Sequence, residues 1–333
     1  MTFEEILRDL KQNRYQSIYF LMGDESYFID RITDYITENA LQESERDFNQ
    51  TILYGKDVDI PTIITTARRF PMMANRQVVV VKEAQNIRNI EQLLTYVQNP
   101  LESTILVINY KYKSLDKRKS FTKEVAAKGV LFESKKIYEN QIPDWIKKYL
   151  GSMGYKIEPK ACILLSEFLG NDLSKITNEL EKLMISIPKS ETISAGHIER
   201  NIGISKDFNN FELHSALGKR DVLKANRIIN YFAANQKNNP MVVTISLLHS
   251  YFAKVLTYHF LKNKTNEKLV ASSLHVNPYF VKDYKLSAKN YTPKKLVEII
   301  SLLREYDLKS KGVGDVSSSQ GELLKELVYR ILH

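Results

Sequence analysis

Over the first 137 residues, short continuous apolar runs alternate with segments whose apolar residues recur three and four positions apart. The runs at 17–21, 51–53, 77–81, 104–108 and 130–133 predict strands. Val78–Val81 and Ile105–Ile108 have no polar alternation, the pattern of strands covered on both faces of a parallel sheet. Ile60, Ile63, Ile64, Ala67 and Phe70 lie on one side of a predicted helix. Strands alternating with helices predict an open α/β sheet.

After Lys136 the pattern becomes helical and no further strand is expected. Helices are predicted over 142–150, 159–169, 173–187 and 194–201, and then over 208–217, 221–234, 240–261, 293–309 and 320–332. Asn171-Asp172 caps the third of these and Pro188 stops it. Breaks at 236–240 and 311–319 separate the later helices. The expected division is an α/β domain over 1–137, a small helical domain over 138–205 and a second, larger all-α domain over 206–333.

Hydrophobic residues make up 43% of the 333, enough for more than one core. The lone cysteine, Cys162, excludes an intramolecular disulfide and suits a reducing, cytoplasmic compartment. It stands in an apolar run and reads as a core residue rather than a nucleophile. The first residues are amphipathic and acidic, unlike a signal peptide, and no run approaches the length of a membrane span. The formal charge of +9 is uneven: residues 254–311 hold 12 Lys and Arg against 5 Asp and Glu. Lys111, Lys113, Lys117, Arg118 and Lys119 form a second basic stretch broken only by Asp116. Such surfaces suit polyanions, although scattered lysines also form plain solvated faces.

The first strand candidate ends in Met22-Gly23-Asp24-Glu25-Ser26, where a P-loop would have several glycines and a lysine. One glycine followed by Asp24 and Glu25 cannot cradle a phosphate, so a nucleotide site is expected to be degenerate here. The third strand candidate ends in Lys82-Glu83 instead of paired metal-binding acids. Gly218-Lys219-Arg220 and Gly312-Val313-Gly314 read as turns. The six histidines have no metal-site spacing, and no nucleophile–base motif appears, so neither a metal nor a cofactor is expected. The segment Phe70-Pro71-Met72-Met73, between a helix end and the strand at Gln77, has positive content. Flexible thioethers beside Phe and Pro suit a pocket-filling contact on a partner, or ordinary packing at a helix end.

Taken in order, several segments resemble the delta subunit of the bacterial DNA polymerase III clamp loader. They are Tyr19–Glu25 (YFLMGDE), Pro71–Gln77 (PMMANRQ) before the all-valine strand, and Gly170–Leu183 (GNDLSKITNELEKL). Phe211–Leu217 with Ala225, and Tyr306–Lys309, complete the match, which spans nearly the whole chain. The resemblance implies an AAA+-like α/β domain without a working P-loop, a helical lid and a helical collar. It implies a five-subunit ring with the gamma/tau and delta prime subunits. Within that DNA-directed DNA polymerase holoenzyme such a subunit does not itself hydrolyse ATP. It binds the sliding clamp, the beta subunit, and opens it for loading onto primed DNA. By position the clamp-binding residues are Met72 and Met73, with Phe70 and Pro71. Lys111, Lys113, Lys117, Arg118, Lys119, Lys309 and Lys311 are the expected DNA-facing residues. Two other readings stand beside it: an active AAA+ motor subunit, and a free-standing DNA-binding protein using the basic C-terminal third. No membrane partner is expected.

Overall fold

A computed structural model describes residues 1–333 except Ile204, Lys206, Asp315 and Val316. The expected boundary at 206 and part of the 311–319 break therefore lie outside the described residues. The chain divides into two compact units, Met1–Ile137 and Tyr138–His333.

The first unit is a five-stranded parallel sheet flanked by helices. In chain order its elements are α1 (Phe3–Lys11), β1 (Ile18–Gly23), α2 (Ser26–Asn39), α3 (Glu43–Asn49), β2 (Gln50–Tyr54) and α4 (Ile60–Ala67). They continue with β3 (Gln77–Lys82), α5 (Leu94–Val97), β4 (Thr104–Lys111), α6 (Ser120–Lys128) and β5 (Val130–Ser134). The strand order is β2-β3-β4-β1-β5, with Ile18 beside Leu106 and Tyr19 beside Val130. Alternate residues of the central strands enter two cores. Phe20, Val79, Val81, Leu106 and Ile108 meet Ile63, Leu93 and Phe121 on one face. Tyr19, Leu21, Val78, Val80, Ile105 and Val107 meet Ile6, Ile29, Ile32 and Ile36 on the other. Both faces are covered, so these strands carry no polar alternation; each such side chain contributes about 1.5–3 kcal/mol on burial. β1 lies between β4 and β5, the point at which successive connections diverge and open α/β sheets place their sites.

The second unit contains α7 (Ile142–Ser152), β6 (Lys156–Ile157), α8 (Pro159–Leu169), α9 (Leu173–Ser186), β7 (Thr192–Ile193) and α10 (Ala195–Ile202). It continues through α11 (Asn210–Lys219), α12 (Val222–Ala234), α13 (Met241–Phe260), α14 (Glu267–Leu274), α15 (Val281–Asn290), α16 (Pro293–Ser310) and α17 (Gln320–Leu332). The expectation of no strand after Lys136 fails, because β6 and β7 pair in parallel. At two residues each they are too short to leave a periodic signal. α14 and α15 were not expected either.

The 20 residues of α13 are long and apolar enough to cross a membrane by composition, contrary to the expectation that no run approaches a span. Here Ile245, Leu248, Phe252 and Val255 of this helix are buried in one core with Leu296, Ile299, Leu303, Leu327 and Ile331.

Gly218 lets α11 approach α13 and α15. A Cβ there would fall 2.2 Å from the Tyr251 hydroxyl and 2.3 Å from Ser287 Oγ, which bond each other at 2.5 Å. Lys160 of α8 pairs with Glu212 of α11 at 2.6 Å, and Lys224 of α12 pairs with the same carboxylate.

His214 stacks on Tyr251 at 4.9 Å with its Nε2 buried and unpartnered. Burial, aided by the Lys254 charge, pushes its imidazole down to about 3 from an ordinary 6.5. A depressed folded-state value means its contribution is complete above 6.5 and is lost as pH falls towards 3, because only the unfolded chain takes up the proton. His214→Phe keeps the stack and removes this liability. Its unfolding free energy relative to the parent should rise by about 2 kcal/mol between pH 7 and pH 5. Denaturant titrations at the two pH values check this; an unchanged difference would mean His214 does not titrate on unfolding.

Candidate functional site

The site is the loop joining α4 to β3. Asp59 caps the start of α4 by accepting from the Thr62 N–H at 2.9 Å, and the helix ends at Ala67. Phe70 is therefore not on the buried helix face, as the periodicity implied, but projects from the loop, 77% exposed. Pro71 is half-buried, while Met72 and Met73 are 62% and 104% exposed.

Two buried amides hold this exposed segment in place. Asn49, at the end of α3, is 3% exposed. Its Oδ1 accepts from the Met72 N–H at 2.6 Å, and its Nδ2 donates to the Met72 carbonyl at 2.9 Å. The Gln77 side chain donates to the Arg69 carbonyl and, at 2.8 Å, to Thr104 Oγ1. Thr104 Oγ1 in turn donates to the Ala67 carbonyl at 2.8 Å. Met73 has φ 52°, a left-handed conformation that costs a non-glycine residue roughly 1 kcal/mol. Three large apolar side chains are thus presented to solvent from a backbone braced at both ends. Ordering a loop in advance removes part of the entropic cost of binding. Phe48, beside Asn49 on α3, is also 70% exposed and was missed from sequence. The available signal was a lone aromatic in an otherwise polar helix.

The turn after β1 takes a different course from a phosphate cradle. The Gly23 N–H donates to the Lys113 carbonyl at 3.0 Å and the Asp24 N–H to the Ser134 carbonyl at 3.2 Å. The Glu25 N–H donates to Ser134 Oγ at 3.2 Å, and Glu25 Oε1 accepts from the Tyr27 N–H. The donors a phosphate would need are bonded to the protein itself, and the first turn of α2 is capped by a carboxylate. At the end of β3, Glu83 has φ 54° and lies 3.8 Å from Lys56.

The basic residues singled out in the sequence are mostly paired. Lys111 meets Asp30 at 2.6 Å, Lys117 meets Glu133 at 2.5 Å, Arg118 meets Asp116 at 2.8 Å and Lys119 meets Glu91 at 2.7 Å. Lys113 donates to the Gln85 carbonyl at 3.3 Å. Lys309 and Lys311 pair with Glu305 and Asp307 one helical turn away, at 2.9 and 2.7 Å. Exposed pairs of this kind are worth less than about 1 kcal/mol and exchange readily for other anions. Cys162 is buried, which raises its thiol to about 12, so it is no nucleophile at neutral pH. Among the described residues no cluster of three or more metal-ligating side chains occurs.

Comparison with known proteins agrees with this architecture along the chain. A family model described as DNA polymerase III, delta subunit, matches residues 19–135. The corresponding C-terminal domain model matches residues 207–324. The DNA polymerase III subunit delta of Bacillus subtilis is 25% identical over 318 residues, covering 92% of this chain and 91% of the relative. A probable DNA polymerase III subunit delta of Aquifex aeolicus is 20% identical over 310 residues, covering 89% and 86%. The solved structure of the Bacillus subtilis DNA clamp loader delta protein shares the fold, with TM-score 0.60, 24% identity and 99% of each chain covered. With the sheet, the following helices and both halves matched in order, the chain belongs to the DNA polymerase III delta subunit family.

Proposed function

We propose that this protein binds the sliding clamp through Met72 and Met73, flanked by Phe70 and Pro71, and opens the clamp ring for loading onto primed DNA. The observation that carries the reading is the exposure of both methionines on a loop fixed by Asn49 and Gln77. Opening follows only if the contacts are stronger with the open clamp than with the closed one, because a ligand shifts an equilibrium by its differential affinity alone. The occupied N–H groups of the Gly23 turn support a subunit that leaves ATP hydrolysis to others, and argue against the motor-subunit reading.

In this reading residues 138–205 act as the lid and 206–333 as the collar that joins gamma/tau and delta prime subunits in a five-membered ring. Primer–template DNA then passes within the assembly, and the basic residues of 111–119, with Lys309 and Lys311, are available to exchange their protein partners for phosphates. The setting is the cytoplasm, as the single buried thiol suits.

The test is direct binding of the full-length chain to the sliding clamp of the same organism, followed by surface plasmon resonance. Saturable binding, at micromolar affinity or better by order of magnitude, is expected from two buried anchors. Its absence would refute the proposal.

A further inference from the structure

The helices that the sequence pattern missed, α14 and α15, form a small unit of their own on the side of the helical core. Val270, Ala271 and Leu274 of α14 pack against Val281 of α15 and Tyr258 of α13, with Val276 and Tyr284 beside them. Between the helices His275 takes a left-handed conformation, φ 53° and ψ 51°, and the Val276 N–H returns to the Ala271 carbonyl at 3.0 Å. Asn277 Oδ1 accepts from the Tyr279 N–H at 3.0 Å and starts the next turn. The left-handed His275 and a 3-10 turn over Pro278–Phe280 thus join the two helices, whose apolar residues share one small core.

The second helix is mounted rigidly. On its inner side Ser287 meets the Tyr251 hydroxyl, and Asn290 Nδ2 donates to the Gly218 carbonyl at 2.8 Å. The outer side of α15 and of the turn before it is a line of exposed residues: Tyr279, Lys282, Lys285, Leu286 and Lys289. Lys282 lies 4.8 Å over the Tyr279 ring. Unlike Lys111, Lys117 and Lys119, none of Lys282, Lys285 and Lys289 has a carboxylate partner among the described residues. The acid of this helix, Asp283, is half-buried and its charge acts on Tyr251 and Tyr284, on the packed side. Residues 262–290 hold six lysines against Glu267 and Asp283.

We propose that the outer face of α15 is a contact site for duplex DNA, presenting Lys282, Lys285 and Lys289 to the phosphate backbone. The choice of DNA among polyanions rests on the family reading; the site rests on geometry. Three cations without carboxylate partners among the described residues, in line on a braced helix, suit the repeating charge of a duplex backbone. Tyr279 and Leu286 add a flat hydroxyl-bearing ring and an apolar contact on the same face.

The experiment is fluorescence anisotropy of the full-length chain with a short duplex, and with a single strand of equal length, over a salt series. Lys282→Ala/Lys285→Ala/Lys289→Ala is expected to weaken duplex binding about tenfold or more at low salt. It should also flatten the log–log salt dependence by about 2–3, near 0.9 per lost phosphate contact. Lys147→Ala/Lys148→Ala/Lys156→Ala removes three exposed charges elsewhere in the same unit and should have a smaller effect on both. Equal losses in the two variants, an unchanged salt slope, equal affinity for the single strand, or no duplex binding by the parent chain would each overturn the site. Clamp binding measured on the same variant should be unchanged, so a failure here is distinguishable from a failure of the clamp reading.

Discussion

Replacing Met72 and Met73 together by alanine should weaken clamp binding at least about a hundredfold while leaving thermal unfolding of the chain unchanged. Both side chains are largely in water in the free chain, so their removal opens no cavity in the core. In a partner's apolar pocket each contributes about 1.5–3 kcal/mol, and losing about 3–6 kcal/mol corresponds to roughly two to four powers of ten in affinity. The brace provides an independent arm of the same test. Asn49→Ala keeps both methionines but removes the paired bonds to the Met72 backbone, so the loop must be ordered on binding. Affinity should then fall by about tenfold, less than in the double variant, since ordering a few groups costs about 0.5–1.5 kcal/mol each. Undiminished clamp affinity in the double variant, measured by plasmon resonance, would remove the loop from the interface.

Gly23→Ala should destabilise the first unit by about 2–5 kcal/mol, combining the left-handed backbone penalty with overpacking. Gly23 has φ 118°, and a Cβ there would lie 2.1 Å from the Ser134 carbonyl oxygen and 2.7 Å from its Oγ. Relief requires β5 to move from β1, which breaks the bonds from Asp24 and Glu25 to Ser134. The turn that resembles a defective phosphate cradle is therefore a structural corner whose glycine serves close approach of two strands. Calorimetry or denaturant unfolding reads the effect, and a variant as stable as the parent would mean that Ser134 does not close this corner. Nucleotide addition should restore none of the lost stability, because the displaced acceptors belong to the protein.

Much of the first unit was legible because strands buried on both faces declare themselves as unbroken apolar runs, here β1, β3 and β4. The long helices α9, α13, α16 and α17 were legible through apolar spacing and through the cap at Asp172. The site was legible only as a composition, Phe-Pro-Met-Met between two elements, which left partner contact and internal packing equally open. Accessibility separated them. Phe70 was placed on the buried helix stripe because its spacing continues from Ala67, whereas the hydrogen bonds of Gln77 and Thr104 end the helix before it. α14 and α15 leave a weaker pattern because Pro278 divides them and the polar residues Lys282, Asp283, Lys285, Ser287, Lys289 and Asn290 dilute the apolar spacing of α15.

By itself, the amino-acid sequence determined that an α/β unit precedes a helical one, that the loop before β3 carries two methionines, and that the chain resembles a clamp-loader delta subunit. Those properties are local, written in spacing, residue type and order. Tertiary structure alone decided that Asn49 holds Met72, that Ser134 accepts from the N–H groups of Asp24 and Glu25, and that three lysines of α15 line up without acidic partners among the described residues. Asn49 and Met72 are 23 positions apart, and Met22 and Ser134 are 112 apart. Such pairs meet only because parallel register sets one strand's end beside another's, and no pattern along the chain encodes that distance.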